Sequence, residues 1–322
     1  HYTQQIGIPD VTIEDVFIGN GVSELIVMTL QALLNDDDEV LIPSPDYPLW
    51  TTAVSLAGGK PVHYICEEEN DWVPDIKDIK SKISARTKAI VVISPNNPTG
   101  AVYPRHILQS IADLAAEKNL MVMSDEIYDK ILFDGNTHTP IASLNNDVFY
   151  LTYGGLSKNW RATGFRSGWL ILSGAKQKAA SYIEGLTLLA SMRLCANVPA
   201  QYAIQTALGG YQSINDLVSP KGRIYRQGML CYERINAIPG LSCARPKGAL
   251  YVFPKIDLRQ FSFFDDNDFV YKLLTEQKVL LVPGSGFNHA DKAHFRMVFL
   301  ADTEILNTAI DRMETLLNEY RR

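Results

Sequence analysis

The sequence predicts an α/β protein: a mostly parallel seven-stranded sheet with helices on both faces, plus a smaller α+β C-terminal domain. Short apolar runs recur before residue 175 and alternate with helical patterns or long crossovers, as parallel strands require. Two of these runs, residues 89–94 and 120–124, are apolar almost throughout, which is typical of strands buried on both faces. Later in the chain the pattern changes to one long helix, short strands and two further helices.

The elements follow in a regular order. The seven predicted strands cover residues 14–19, 39–42, 62–65, 89–94, 120–124, 148–152 and 168–172. Helical patterns cover residues 24–34, 75–83, 105–117 and 176–207. A helix over residues 223–237 then leads to strands near 241–244, 249–253, 279–282 and 295–299 and to helices near 267–276 and 304–320.

This order predicts two units. We expect a large domain over residues 1–215 and a second unit, residues 216–322, made of the long bridging helix and the small C-terminal domain. The first five residues are typical of the tail of a helix, and no initiator Met precedes them. We therefore expect that an N-terminal segment of the large domain is missing.

Composition excludes several classes of partner. The 322 residues are 46% hydrophobic and 20% charged, which is typical of a globular enzyme-sized chain. A net charge of −6 argues against a nucleic-acid partner, and no apolar run reaches the roughly 20 residues of a membrane span. The four dispersed cysteines favour reduced thiols in the cytoplasm. His289 and His294 are five residues apart, a poor ligand spacing, so we expect no metal.

Polar residues repeatedly follow the ends of predicted strands: Tyr47, Asn97, Asp125 and Lys158. Because ligands of α/β sheets bind at the carboxyl ends of the strands, we expect these side chains to converge. Glycines surround Lys158 and Arg166, which allows backbone to approach a bound group, and the arginine suggests an anion. A lysine beside a phosphate-binding arginine is what a pyridoxal phosphate enzyme needs for its Schiff base.

The turn over residues 19–24 has two interpretations. A strand, a glycine turn and a helix together form an anion site, because free N–H groups point at the turn. Alternatively, Asn20 or Ser23 is a plain helix N-cap. A dinucleotide fingerprint is incomplete, since Glu24 occupies the position of its third glycine. A mononucleotide and a cofactor phosphate both remain open.

Several motifs in one order resemble the class I/II aminotransferases, which are pyridoxal phosphate enzymes of fold type I. The matching stretches cover residues 94–100, 124–128, 157–158, 164–168, 247–251 and 294–296. The resemblance therefore extends over nearly the whole chain. Residues 46–50 and 192–201 are similar, more closely, to bacterial alanine aminotransferases, also called glutamate–pyruvate transaminases.

The resemblance implies roles around the cofactor. Lys158 would form the Schiff base and then move the proton at the substrate α-carbon. Asp125 would pair with the pyridine nitrogen. Other groups would bind the ring and the phosphate: Asn97 and Tyr128 at the ring 3′ oxygen, Tyr47 stacked on the ring, and Gly21, Val22, Ser23, Ser157 and Arg166 at the phosphate.

The resemblance also implies a substrate site and a partner. Arg296 would bind the substrate α-carboxylate through two parallel hydrogen bonds, with Asn97 beside it. Many relatives place a phosphate-binding serine where Gly155 stands, so Ser157 or a backbone N–H is expected to substitute. We expect a homodimer by analogy with the family, and a substrate pocket completed by the missing N-terminal segment.

The leading hypothesis is amino transfer between an L-amino acid, alanine above all, and 2-oxoglutarate. A rival of the same fold is an aminotransferase with another main donor or a C–S lyase, since sequence does not show the pocket stereochemistry. A non-enzyme alternative is the cofactor-binding sensor domain of a regulator. A third alternative is a nucleotide-dependent dehydrogenase that uses Gly19 and Gly21.

Overall fold

The α/β architecture is confirmed by the computed structural model of the chain, which describes residues 2–322. The strands of these residues are β1 (Val16–Gly19), β2 (Glu39–Ser44), β3 (Lys60–Glu67), β4 (Val73–Pro74), β5 (Thr87–Ile93), β6 (Met121–Asp125), β7 (Phe149–Gly155), β8 (Gly168–Gly174), β9 (Leu241–Ser242), β10 (Tyr251–Val252), β11 (Lys255–Ile256), β12 (Val282–Pro283) and β13 (Phe295–Val298).

The α-helices of the described residues separate these strands. They are α1 (Tyr2–Gln5), α2 (Val22–Leu33), α3 (Leu49–Leu56), α4 (Ile76–Lys82), α5 (Arg105–Lys118), α6 (Ala180–Met192), α7 (Val198–Gly209), α8 (Ile214–Val218), α9 (Arg223–Asn236), α10 (Asp266–Gln277) and α11 (Thr303–Glu319). No helix of the described residues is long and apolar enough to span a membrane.

The large sheet has the strand order β1-β8-β7-β6-β5-β2-β3-β4. Its centre is parallel: β3, β2, β5, β6 and β7 pair in the same direction. Strand β8 runs antiparallel to β7, and β1 runs antiparallel to β8. The parallel pairs place the carboxyl ends of four central strands at one edge, where the site lies.

Alternating side chains of each strand supply two separate cores. Ile90 pairs with Val122, and both belong to the core that contains residues of α4 and α5. Val91 pairs with Met123, and both belong to the core that contains residues of α2, α3 and α6. Successive side chains of a strand point to opposite faces, so the unbroken apolar runs of the sequence serve both helical layers.

The C-terminal residues form small antiparallel sheets. Strands β10, β13 and β12 form one, and β11 and β9 form another. Helices α9, α10 and α11 cover them in a third core, which also includes Ile127, Ile131 and Phe133 from the segment after β6. The C-terminal part is thereby packed against the loop that begins at Asp125.

The structure corrects several local predictions. The sheet has an eighth strand, β4, whose two residues are too few to show a period, and α3 was not expected. The helical pattern of residues 176–207 forms two helices, α6 and α7, because Leu194 between them has a left-handed φ of 75°. Helix α2 begins at Val22, two residues earlier than predicted.

Candidate active site

A cavity of about 440 Å³ opens at the carboxyl end of the parallel strands. Its lining contains nearly every side chain selected from the sequence: Val22, Ser23, Tyr47, Ile93, Asn97, Asp125, Ile127, Tyr128, Ser157, Lys158, Thr163, Arg166, Tyr251 and Arg296. Gly21, the remaining selected position, immediately precedes Val22. Lys158 and Asp125 therefore open onto one space.

Strand ends explain this convergence. Asp125 is the last residue of β6, while Tyr47, Asn97 and Lys158 follow the ends of β2, β5 and β7 within four residues. These four strands are neighbours in the order β7-β6-β5-β2, so their following residues meet at one edge. Arg296, on β13, enters the same cavity from the small sheet.

Lys158 offers an amine in a partly desolvated setting. Its Nζ lies 5.9 Å from the centre of the Tyr128 ring. Burial lowers the pKa of this amine, the cations Arg296 and Arg166 lower it further, and Asp125 opposes them. A lowered pKa increases the fraction of uncharged amine near neutral pH, which is the nucleophilic form.

Asp125 places a carboxylate at the bottom of the cavity, where its side chain is buried. Its oxygens accept hydrogen bonds from Trp50 Nε1 and from the backbone N–H of Ile127, each at 3.3 Å. Burial raises the pKa of Asp125 to about 6, against the effect of those two donors. Both hydrogen bonds are long, so the carboxylate keeps capacity to accept a strong donor from the cavity.

Helix α2 points its N-terminus at the cavity. Gly21 is its N-cap, with a φ of 86° and no capping side chain, so the alternative of a cap by Asn20 or Ser23 is wrong. The Asn20 amide donates instead to Glu24 Oε1, at 2.9 Å. The first backbone N–H groups of α2 are left to bind an anion, which the helix dipole also favours.

Arg166 lies across this turn, and its hydrogen-bond partners among the described residues are all neutral. Its guanidinium donates to Thr163 O at 3.0 Å, to Asn20 O at 3.3 Å and to Ser157 Oγ at 3.5 Å. A Cβ atom on Gly21 would lie 2.2 Å from Arg166 Nη2, so only glycine allows this approach. The turn and the guanidinium together form a cationic, N–H-rich end of the cavity.

Arg296 is held at the opposite side of the cavity. Its Nη1 donates to Asn97 Oδ1 at 2.8 Å. Its guanidinium carbon lies 4.6 Å from the ring centres of both Tyr251 and Phe287, so two aromatic rings fix its plane. Its Nε is buried without a hydrogen-bond partner among the described residues. A buried cationic donor of this kind calls for an anionic acceptor.

Sequence reasoning missed two aromatic residues of this site. Tyr251 lines the cavity, and its hydroxyl lies 2.5 Å from the hydroxyl of Tyr128. Trp50 donates a hydrogen bond to Asp125 from helix α3, a helix that was not predicted. A signal existed for Tyr251, because it ends the motif of residues 247–251, but nothing in the sequence connects Trp50 with Asp125.

The two histidines whose spacing is poor for metal ligands nevertheless lie side by side. The ring centres of His289 and His294 lie 4.7 Å apart, and Asp291 completes a group whose ligand atoms all lie within 4.8 Å. Zinc ligands lie closer, about 3.4 Å from one another, because each is about 2.0–2.1 Å from the metal. Lys255 Nζ also pairs with Asp291 at 2.7 Å. The absence of a metal stays a prediction.

Comparison with known proteins assigns the family. The sequence profile of "Aminotransferase class I and II" matches residues 1–313. The chain is 56% identical to the glutamate–pyruvate aminotransferase AlaA of Haemophilus influenzae over 321 residues, which is 100% of this chain and 80% of that protein. It is 54% identical to the alanine aminotransferase of Mycobacterium tuberculosis over 98% of this chain and 74% of that protein.

Solved structures of aminotransferases support the same family assignment. An aminotransferase of Escherichia coli superposes with a TM-score of 0.98 at 54% identity and covers 100% of this chain and 80% of its own. An alanine aminotransferase of Pyrococcus furiosus has a TM-score of 0.94 at 41% identity, with 99% and 80% covered. With its cavity geometry, this chain belongs to the class I and II aminotransferases, a family of pyridoxal phosphate-dependent enzymes.

Proposed function

We propose that this protein is a glutamate–pyruvate aminotransferase, which transfers the amino group of L-alanine to 2-oxoglutarate and gives pyruvate and L-glutamate. Identities of 54–56% to proteins with that activity in their names support the substrate pair. The single observation that supports the reaction type is the cavity itself. Lys158, Asp125 and Arg296, whose guanidinium suits a carboxylate, all line it.

The residues present fit pyridoxal 5′-phosphate. A buried carboxylate with a raised pKa suits a cationic ring nitrogen, and the α2 N-terminus with Arg166 suits a phosphate. We propose that Gly21, Val22, Ser23, Ser157 and Arg166 hold the phosphate, that Asn97 and Tyr128 bind the ring 3′ oxygen, and that Tyr47 stacks on the ring. When bound, this cofactor supplies an electron sink for charge that develops at the substrate α-carbon.

Each residue then has a defined task. The Lys158 amine would hold the cofactor covalently, and as a free amine it would take the proton from the substrate α-carbon. Its pKa, lowered by burial and nearby cations, increases the fraction of the free amine that is in the basic form. Asp125 stabilises the protonated ring nitrogen, which in turn lowers the pKa of that carboxyl. Tyr128, bonded to Tyr251, is held in place to donate to the ring oxygen.

Arg296 positions the substrate. Its aromatic clamp leaves the edge with Nε and one Nη free to form two parallel hydrogen bonds with an α-carboxylate. Asn97 fixes the other Nη, so the guanidinium does not need to reorganise when the substrate binds. We propose that this contact brings the α-carbon within reach of Lys158.

We also propose a homodimer in the cytoplasm. Apolar side chains near the α6–α7 connection are 61–84% exposed: Leu188, Met192, Leu194 and Tyr202. Such a patch is typical of a protein interface. The connection also touches the site, because Asn197 N donates to Asn20 Oδ1 at 2.8 Å. The four free cysteines support a reducing compartment.

The division into residues 1–215 and 216–322 is likewise a proposal. It is supported by the third core, whose buried members come from residue 214 onward apart from Ile127, Tyr128, Ile131 and Phe133. Those four belong to the segment that carries site residues. A movement between the two units would therefore act directly on the cavity.

A coupled assay tests the function. The purified protein is incubated with pyridoxal phosphate, L-alanine and 2-oxoglutarate, and pyruvate is followed with lactate dehydrogenase. We expect continuous pyruvate formation only when the oxo-acid acceptor is present, no more than one equivalent per active site without it, and none with Lys158→Ala. Sustained pyruvate formation from L-cysteine without an acceptor would indicate a C–S lyase, because L-cysteine carries a β leaving group and L-alanine does not. Normal turnover by Lys158→Ala would refute the assignment, and a panel of other donors tests the preference for alanine.

A further inference from the structure

A buried polar group lies behind the loop that carries Asp125 and Tyr128. We call it the rear cluster: Ser124, Glu126, Asp129 and Asn159, which are buried, and His138, whose side chain is 9% exposed. None of these five residues is among those that line the active-site cavity. Asp129 and His138 line a separate opening of about 340 Å³ instead. The cluster is therefore outside the machinery assigned above.

The rear cluster consists of two contacting groups, Ser124 with Glu126 and His138, and Asp129 with Asn159. Ser124 Oγ donates to Glu126 Oε1 at 2.8 Å. His138 Nε2 lies 2.9 Å from Glu126 Oε2, and the side chains are 9% and 5% exposed. The Asn159 amide donates to Asp129 Oδ1, and these two residues are also buried. Buried polar groups in such contacts restrict one another's positions.

The residues of the rear cluster are sequence neighbours of active-site residues, so the cluster can hold the site in place from behind. Asp125 and Tyr128 line the cavity, and the residue that follows each of them, Glu126 and Asp129, belongs to the cluster. One short segment therefore contributes to both. Asn159 directly follows Lys158. The hydrogen bond from Asn159 to Asp129 therefore joins the backbone next to the amine with the backbone next to Tyr128, although β6 and β7 belong to different parts of the sequence.

Charge balance depends on His138. Two carboxylates, Glu126 and Asp129, face it from the loop, and Lys130 lines the same opening. Burial lowers the pKa of His138, but the two carboxylates outweigh burial and raise it overall. Removing the imidazole would take from the buried Glu126 carboxylate the ring nitrogen that lies 2.9 Å from it, which is unfavourable.

We propose that His138 is a positioning residue of this active site, which fixes the loop of Asp125 through Glu126 and the lysine segment through Asp129 and Asn159. The inference rests on the proposed function, because its consequence is the alignment of Lys158 with the cofactor ring. His138 touches neither substrate nor cofactor. It acts through the placement of groups that do.

The test compares His138→Gln, Asn159→Ala and the double variant with the wild type, and uses His289→Gln as a matched control. His289 is also partly buried but lies outside the rear cluster. Three quantities are measured: kcat and KM for L-alanine, the pH midpoint of the absorbance change of bound pyridoxal phosphate, and the Tm of the cofactor-free protein. Asn159→Ala keeps the test available if His138→Gln does not fold.

We expect each single variant to lower kcat by about tenfold or more, since small displacements of reacting groups are costly. KM for L-alanine should stay within about twofold, because Arg296 is untouched. The pH midpoint should shift, and the double variant should be no slower than the slower single variant, because both substitutions release the same loop, one at Glu126 and the other at Asp129. The control should change neither kcat nor the pH midpoint, and it shows what a loss of Tm alone does, because the His289 ring packs against Trp72 and Phe253.

Two results with the variants would overturn the inference. One is a lowered Tm with an unchanged kcat and pH midpoint, which indicates a merely structural cluster. The other is a double variant whose losses in kcat multiply, which indicates independent effects. A wild type that binds pyridoxal phosphate but does not transfer amino groups contradicts the proposed function alone, since the pH midpoint still tests the cluster. A wild type that does not bind it overturns both.

Discussion

Replacement of Arg296 by lysine removes the geometry of the proposed substrate clamp and keeps its charge. The guanidinium is held between Tyr251 and Phe287, each ring centre 4.6 Å from its central carbon, and bonded to Asn97 at 2.8 Å. A lysine ammonium is a point charge on a flexible stem. It can form one hydrogen bond with a carboxylate but not two parallel ones.

The expected loss follows from these contacts. A hydrogen bond between charged groups contributes about 1.5–3 kcal/mol, and one of two is lost. Loss of the planar stacking between two rings adds about 1 kcal/mol. A total near 3 kcal/mol corresponds to a decrease of about 100-fold in kcat/KM. Most of it should appear in KM, because the α-carboxylate is bound in both ground and transition states.

Steady-state kinetics with L-alanine and 2-oxoglutarate measure this effect. Arg245→Lys is the matched control, because Arg245 pairs with Asp134 at the surface, away from the cavity. We expect the control to retain kcat/KM within about twofold, as surface pairs contribute little. If Arg296→Lys also retains kcat/KM within about threefold, the carboxylate does not bind where we place it.

Three further predictions concern the cofactor and the assembly. Asp125→Asn should stabilise the cofactor-free protein at pH 8 by up to about 3 kcal/mol in unfolding experiments, yet weaken cofactor binding. The sign follows from the pKa of Asp125, which folding raises from 3.8 to about 6. The ionised carboxylate therefore destabilises the folded protein, not at all below about pH 4 and fully above about pH 6. Equal stabilities of the two proteins at pH 8 would contradict this prediction. Gly21→Ala should weaken pyridoxal phosphate binding by more than about tenfold, because the new Cβ meets Arg166 at 2.2 Å; Gly135→Ala, also at positive φ but with open space around it, is the control in the binding titration. Met192→Glu should shift the sedimentation coefficient from dimer to monomer, and an unchanged value would place the interface elsewhere.

The pattern of the sequence predicted the large sheet well because its strands are long, apolar and buried on both faces. Residues 89–94 show this clearly, since their alternate side chains enter two different cores. Strand β4 and strand β11 have two residues each, so no period could reveal them. Their formation depends on partners that are distant in sequence.

The convergence of Tyr47, Asn97, Asp125 and Lys158 was predictable for a physical reason: each follows a parallel strand, and parallel strands end at one edge. The tertiary contacts around the site could not be predicted from the sequence. Trp50 reaches Asp125 from a helix without a sequence signal, and the contact of His138 with Glu126 joins two loops. Arg296 could be selected only through the resemblance, because an arginine at a strand is ordinarily a surface ion pair.

The central claim is that the Lys158 amine, opposite Asp125, holds pyridoxal phosphate. Reduction of the loaded protein with sodium borohydride fixes the covalent attachment, and peptide mass spectrometry then locates it. We predict the modification on Lys158, its absence after prior incubation with excess L-alanine, and no modification of Lys158→Ala at any other lysine. Attachment to a different lysine in the wild-type protein, or no attachment, would contradict this account of the site.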